Sequence, residues 1–216
     1  MRFAELTLEA AAPDALEPFY RDGIGLPIAD TAVSFRPGAA CTHHIAFRVA
    51  DAGFEAAKAR LAGVADLLTE DGRDEFDFPF WDARACYALD PAGNIVELIA
   101  LRGLPGEGAR PLALAEVGLP VADVLATAGL LKAELGITTW DGDPPSPRFT
   151  ATGARGATFI VVPLDRAWYP TDRRNEPARM TVVIEGVRPT EIEIGGARII
   201  GVADRSAAAT RSPDPP

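Results

Sequence analysis

Histidine is nearly absent from this 216-residue chain: there are two, His43 and His44, side by side. A centre built from several imidazoles is therefore excluded. Cysteine is equally scarce. Cys41 and Cys86 are too few for a disulfide framework, and reduced thiols in a cytoplasm are the expectation. Positive charge is also short, 21 Lys and Arg against 31 Asp and Glu, for a formal net charge of -10. No basic stripe runs along the sequence, which argues against nucleic acid and anionic membrane surfaces as partners. No apolar run is long enough to span a bilayer, and Met1-Arg2-Phe3-Ala4-Glu5 does not read as a signal peptide. What remains is 48% apolar and 24% charged residues, an ordinary globular composition. The length gives room for one large or two small domains and a sizeable core.

The most informative stretch is Asp90-Pro91-Ala92-Gly93-Asn94, followed by Ile95 to Ala100. Proline presets the first corner of a hairpin turn, and glycine supplies the left-handed residue that returns the chain into a strand. Ile95, Glu97 and Ile99 then point one way, and Val96, Leu98 and Ala100 the other. One carboxylate thus stands in the middle of an apolar strand. Buried alone, it would cost several kcal/mol or take up a proton, so it requires a cation. Glu97 is therefore a residue at the strand's wet end, a partner of an arginine, or a metal ligand facing a cavity.

The rest of the chain repeats one pattern. Phe3 to Ala10 alternates, with Ala4, Leu6, Leu8 and Ala10 on one face. A helix opens at Pro13-Asp14 and runs to Gly23, with Pro18 an awkward interior residue, and strands follow over Leu26 to Ala29 and Ala32 to Phe35. His43 to Val49 is again a strand, Asp51 caps a helix over Ala52 to Leu61, and strands follow to Leu101. Gly103 to Arg110, with Pro105, Gly106 and Gly108, reads as a linker. The pattern then restarts at Ala115, with a helix over Leu125 to Leu135, and a fourth time at Met180 without a convincing helix. Four such units are counted, the last eroded.

The repeated strand–helix–strands unit, the His43-His44-Ile45-Ala46-Phe47-Arg48-Val49 strand and the Asp90 to Ala100 hairpin resemble the vicinal oxygen chelate superfamily. That group includes glyoxalase I, extradiol ring-cleaving dioxygenases, fosfomycin-resistance enzymes and bleomycin-binding proteins. The resemblance implies an α+β fold of paired βαβββ modules curling around a cavity. It covers Phe3 to Leu101 well and Leu112 to Val202 more weakly. The expected organisation is therefore a domain at 1–102 carrying a metal site, a linker at 103–111, a second, degenerate domain at 112–203, and a mobile tail at 204–216.

Carried over residue by residue, the resemblance implies metal ligands at Glu5, His44 and Glu97. Glu5 departs from the His or Gln usual at that slot. A Glu, His, Glu set suits one divalent ion of the Mn, Fe, Zn or Ni kind and favours a Lewis-acid role. Strand alternation agrees, because Glu5 and His44 lie opposite the apolar faces of their strands, while His43 falls on the apolar side and reads as structural or at the cavity rim. Glu116 matches the Glu5 slot in the third unit, but Ile160 falls where a counterpart of Glu97 would be, so no second metal site is expected. Around the site, Phe76, Phe78, Phe80 and Trp81 either wall a substrate or pack between domains. Arg48 and Tyr87 either bind an oxyanion or donate a proton, or Arg48 pairs with Glu9. The segment Arg166 to Thr171 has aromatics without strand or helix period and reads as a functional loop.

Two functions follow from the resemblance. One is a metal-dependent enzyme that chelates vicinal oxygens of a small substrate, with lyase, isomerase or ring-cleavage chemistry. The other is a metal-free binder of the bleomycin-sequestering type, which needs only the cavity and its aromatic walls. An interaction module without chemistry is a third possibility, and an exposed sheet edge would suit a homodimer.

Overall fold

The structure, a computed structural model, describes residues 1–27 and 31–204. Residues 28–29 of one expected strand and 205–216 of the expected tail lie outside the described residues. Strand β1 (Arg2–Ala10) buries Leu6, Leu8 and Ala10, as its alternation dictates. Helix α1 (Pro13–Pro18) ends at its own second proline, and the chain widens into a π-helical turn over Phe19–Ile24, closed by Gly25 at φ 90°. The remaining elements are β2 (Ala32–Pro37), β3 (His44–Val49), α2 (Phe54–Ala62), β4 (Phe76–Phe78), β5 (Ala83–Leu89), β6 (Ile95–Leu101), β7 (Ala113–Val121), α3 (Val124–Leu130), β8 (Thr150–Ala154), β9 (Ala157–Pro163), β10 (Met180–Glu185), β11 (Thr190–Ile194) and β12 (Ala197–Val202).

These strands form two sheets. The larger runs β4-β5-β6-β3-β7-β9-β8 and the smaller β11-β12-β10-β1-β2. In each of the four units the first strand lies parallel to the last: β1 with β2, β3 with β6, β7 with β9 and β10 with β12. Units then join antiparallel through their first strands. The second joins the third through β3 and β7, and the first joins the fourth through β1 and β10. The sheets therefore do not follow the expected division at 103–111. That segment crosses the end of β3 between β6 and β7, tied down by the Arg48 guanidinium on the Pro105 carbonyl (2.8 Å) and the Leu112 amide on the Arg48 carbonyl (2.7 Å).

The larger sheet is apolar on both faces. Val96, Leu98 and Ala100 of β6 join one core with Leu6, Leu8 and the helix residues Leu16, Phe54 and Leu131. Ile95 and Ile99 face the other way and join Tyr87, Ile160, Val162 and Trp168 around a cavity. The smaller sheet shares only the first core, where Phe3 packs edge-on against Phe159 at 5.2 Å. No helix among the described residues is long and apolar enough to cross a membrane.

Candidate metal centre

The Asp90 hairpin fixes the register that makes the site. Gly93 takes φ 84°, as the turn requires. Asp90 is buried and accepts hydrogen bonds from the Ala92 and Asn94 amides (both 2.9 Å), the Asn94 side chain (2.7 Å) and the Tyr20 hydroxyl (3.0 Å). Asn94 in turn accepts from the His43 amide at 2.9 Å, and the Ile95 amide donates to the His43 carbonyl at 2.8 Å. The turn is thus bolted to β3 one residue before His44, and β6 runs parallel to β3 with Glu97 opposite Ala46. On the other side of β3, Glu116 of β7 also lies opposite Ala46.

His44, Glu97 and Glu116 consequently converge. One donor atom from each lies within 4.8 Å of the others, a separation compatible with a single ion held at roughly 2.0–2.2 Å. The three are only 6%, 3% and 8% exposed, so they are not a solvated acidic face. His44 Nε2 and Glu97 Oε2 stand 3.0 Å apart. Neither carboxylate has a Lys or Arg partner among the described residues. Burial pushes Glu97 up to about 8, against a hydrogen bond from the Tyr87 hydroxyl. Burial and then the neighbouring Glu97 push Glu116 up to about 8 as well. Burial lowers the His44 pKa, although Glu116 pulls it the other way. Two carboxyls and an imidazole crowded together and stripped of water are a donor set that could hold a metal ion.

The imidazole plane is set by stacking. Its ring lies 5.2 Å from that of Trp168 at 26°, and Nδ1 has no hydrogen-bond partner among the described residues. Gly118 makes that stack possible, because an added Cβ would fall 2.6 Å from Trp168 Cη2 and 3.1 Å from His44 Cβ. Gly118→Ala is expected to destabilise the fold by roughly 1–3 kcal/mol through overpacking and to weaken ion binding together with it. Urea unfolding and metal titration of the same variant check both parts.

A cavity of about 250 Å³ opens above the three side chains. Phe78, Trp81, Tyr87, Phe149, Trp168 and Tyr169 supply its aromatic walls, Ile99, Ile160 and Val162 its aliphatic ones, and Arg166 its one cation among the described residues. The Arg166 to Thr171 loop roofs it. Tyr169 packs against Phe76, Phe78 and Tyr87 and donates to Glu70 at 2.9 Å.

Of the residues singled out from sequence, the structure brings together His44 and Glu97, with Tyr87 and Trp81 beside them. Glu5 is not among them. It is exposed in the smaller sheet, opposite Ala32 and Val183. The reason is topological: β3 pairs with β7 of the third unit, so the partner slot is filled by Glu116 and not by Glu5. Arg48 turns away to Pro105 and pairs with neither the cavity nor Glu9, whose partner at 2.8 Å is Arg36. Phe80 sits on a short turn, Pro79–Trp81, that sends it outward to 67% exposure. His43 is buried and structural, its pKa lowered to about 4 by burial. Glu116, matched to the Glu5 slot of the third unit but left out of the ligand set, carries the same signal as Glu97: one carboxylate inside the apolar strand Ala113–Val121.

No protein-family model and no curated protein matches the sequence. Solved structures do. A glyoxalase I from Zea mays superposes with a TM-score of 0.58 at 12% identity, over 96% of this chain and 94% of that one. A variant of that enzyme gives 0.61 at 11% identity over 97% and 96%. A putative dioxygenase from Bacillus subtilis gives 0.58 at 14% identity over 95% and 86%. The chain has the fold of the vicinal oxygen chelate superfamily, two curled sheets of βαβββ modules in a glyoxalase-like arrangement. At these identities the likeness is one of fold.

Proposed function

We propose that the protein is a metal-dependent enzyme acting on a small substrate that offers two adjacent oxygens to one divalent ion held by His44, Glu97 and Glu116. The convergence of these three buried side chains at the floor of an apolar cavity carries the reading. A divalent ion there would act as a Lewis acid, stabilising negative charge on substrate oxygen. The protein supplies the setting. The apolar walls exclude water and strengthen every charge interaction inside. Tyr87 holds Glu97 through its hydroxyl. Ile160 occupies the place of a fourth ligand, so the cavity side is left to substrate. Arg166 stands at the wall, where it complements an anionic oxygen. Lyase, isomerase and ring-cleavage reactions share these needs. A cavity meant to bind an apolar ligand without an ion would gain nothing from two buried carboxyl groups at its floor.

The ion is tested by elemental analysis of protein purified without chelators and by titration with Mn(II), Fe(II), Ni(II) and Zn(II). Stoichiometric uptake, lost in His44→Ala, supports the reading; no uptake of any of the four overturns it. Stability against pH gives an independent check. In the metal-free protein the two carboxyls hold protons up to about 8, whereas in the unfolded chain they lose them near 4.5. Their contribution is complete below the unfolded value and is lost as pH rises through 8. His44 acts oppositely, since its lowered pKa favours the fold above 6.5 and disfavours it below. Between pH 6.5 and 8.5 the carboxyls dominate. The metal-free melting temperature is therefore expected to fall by several degrees across that window. Saturating ion should remove the fall, as should Glu97→Gln with Glu116→Gln; differential scanning calorimetry measures all three.

A further inference from the structure

The metal cavity does not end at its mouth. A second cavity of about 170 Å³ adjoins it, and Trp81 and Phe149 line both. Phe80 and Trp140 complete the aromatic surface of the second cavity. Trp140 is stacked on Trp81, ring centroids 4.9 Å apart at 22°, and Phe80 stands edge-on to Trp140 at 5.9 Å. Phe80, at 67%, is the most exposed large apolar side chain among the described residues, and Phe149, at 37%, is partly exposed in the same place. Together with Trp140 and Trp81 they make an exposed aromatic patch that a ligand could cover. Stacked and edge-on rings around a slot favour a flat occupant. The charged side chains that line the slot are Asp141 and Asp143, whereas Arg166 lines the inner cavity and sets its guanidinium over the shared Phe149 ring, 5.5 Å from the centroid. An anionic arm is disfavoured there and a cationic one favoured.

We propose that the substrate is bipartite: an oxygen-chelating head on the ion, and a planar aromatic arm, cationic at its far end, that passes Trp81 and Phe149 and lies on Phe80 and Trp140. The proposal rests on the metal reading above for its head and on the outer slot for its arm. The outer slot, continuous with the inner cavity at Trp81 and Phe149, gives such an arm room beyond the ion.

Hydroxamates test it, because they chelate a metal through two adjacent oxygens whatever the natural reaction. Acetohydroxamate is a head without an arm. 6-Trimethylammonio-2-naphthohydroxamate adds a planar cationic arm, and 6-sulfo-2-naphthohydroxamate an anionic one. Binding to the Mn(II)-loaded protein is measured by calorimetry. The cationic naphthyl compound is expected to bind at least about tenfold more tightly than acetohydroxamate and than the sulfonate. Phe80→Ala, at an exposed position that does not threaten folding, should reduce the naphthyl-to-acetyl ratio at least about threefold. Asp141→Asn with Asp143→Asn should bring the cation and the sulfonate to similar affinity. A naphthyl advantage that survives Phe80→Ala, no naphthyl advantage at all, or a sulfonate that binds as well as the cation overturns the bipartite substrate. Failure of acetohydroxamate itself to bind the loaded protein overturns the chelation reading instead, so the two can be told apart.

Discussion

Glu116→Ala will abolish high-affinity ion binding, while Glu5→Ala will leave it unaltered. The contrast follows from position. A donor atom of Glu116 lies within 4.8 Å of donors on His44 and Glu97, and Glu5 is exposed on the other sheet. Loss even of a residue that merely supports a metal ligand costs roughly 10–100-fold in affinity, so removing one of three protein ligands will exceed that range. Isothermal titration with Mn(II) reads both variants directly. The melting temperature of metal-free Glu116→Ala should rise at pH 8, because one of two mutually repelling buried carboxylates is gone. That rise separates a lost ligand from a damaged fold. A Glu5→Ala variant that lost the ion would return the site to the arrangement expected from sequence.

Asp90→Ala will unfold the protein at a much lower denaturant concentration. Four donors converge on this carboxylate, two of them backbone amides of the hairpin, and Tyr20 and Asn94 are buried around it. Removing it strands the Tyr20 hydroxyl and the Asn94 amide without partners, a loss of about 3–5 kcal/mol by analogy with other buried networks. Burial raises the Asp90 pKa despite these bonds, while Pro91 and Ala92 at the tip of the turn stay exposed. Tyr20→Phe removes one donor and should cost about 1 kcal/mol. Chemical denaturation of the two variants gives the ratio. The same lesion frees Asn94 from the turn that orients it on the His43 amide, so ion binding should weaken in Asp90→Ala even under conditions where the protein remains folded.

How much of this was legible in the chain can be judged residue by residue. The alternation of Ile95 to Ala100 announced a strand with two apolar faces, and both faces are used, one by the core and one by the cavity. The hairpin, the β3 strand and the absence of a helix after Met180 were likewise written locally. Glu5 was not. It was placed by its slot within a repeated unit, and a slot says nothing of which unit lies across the sheet. The second unit joins the third through Ala46 and Glu116, a long-range choice made by the packing of whole units. Local periodicity cannot carry such information, since β1 and β7 present the same pattern to any partner. Glu116 carried the signal that betrayed Glu97, a charge amid apolar neighbours, and weighing it equally would have pointed to the observed trio. The outward turn of Phe80 and the retreat of Arg48 to Pro105 depend on a short turn and on the crossing segment, which the spacing of side chains does not encode.

Anomalous diffraction from crystals grown with Mn(II), recorded near the manganese edge, tests the central claim most directly. The expected result is one strong peak per chain at about 2.0–2.3 Å from a nitrogen of His44 and from carboxylate oxygens of Glu97 and Glu116. A map without a peak there, or with its peak beside Glu5, would contradict it.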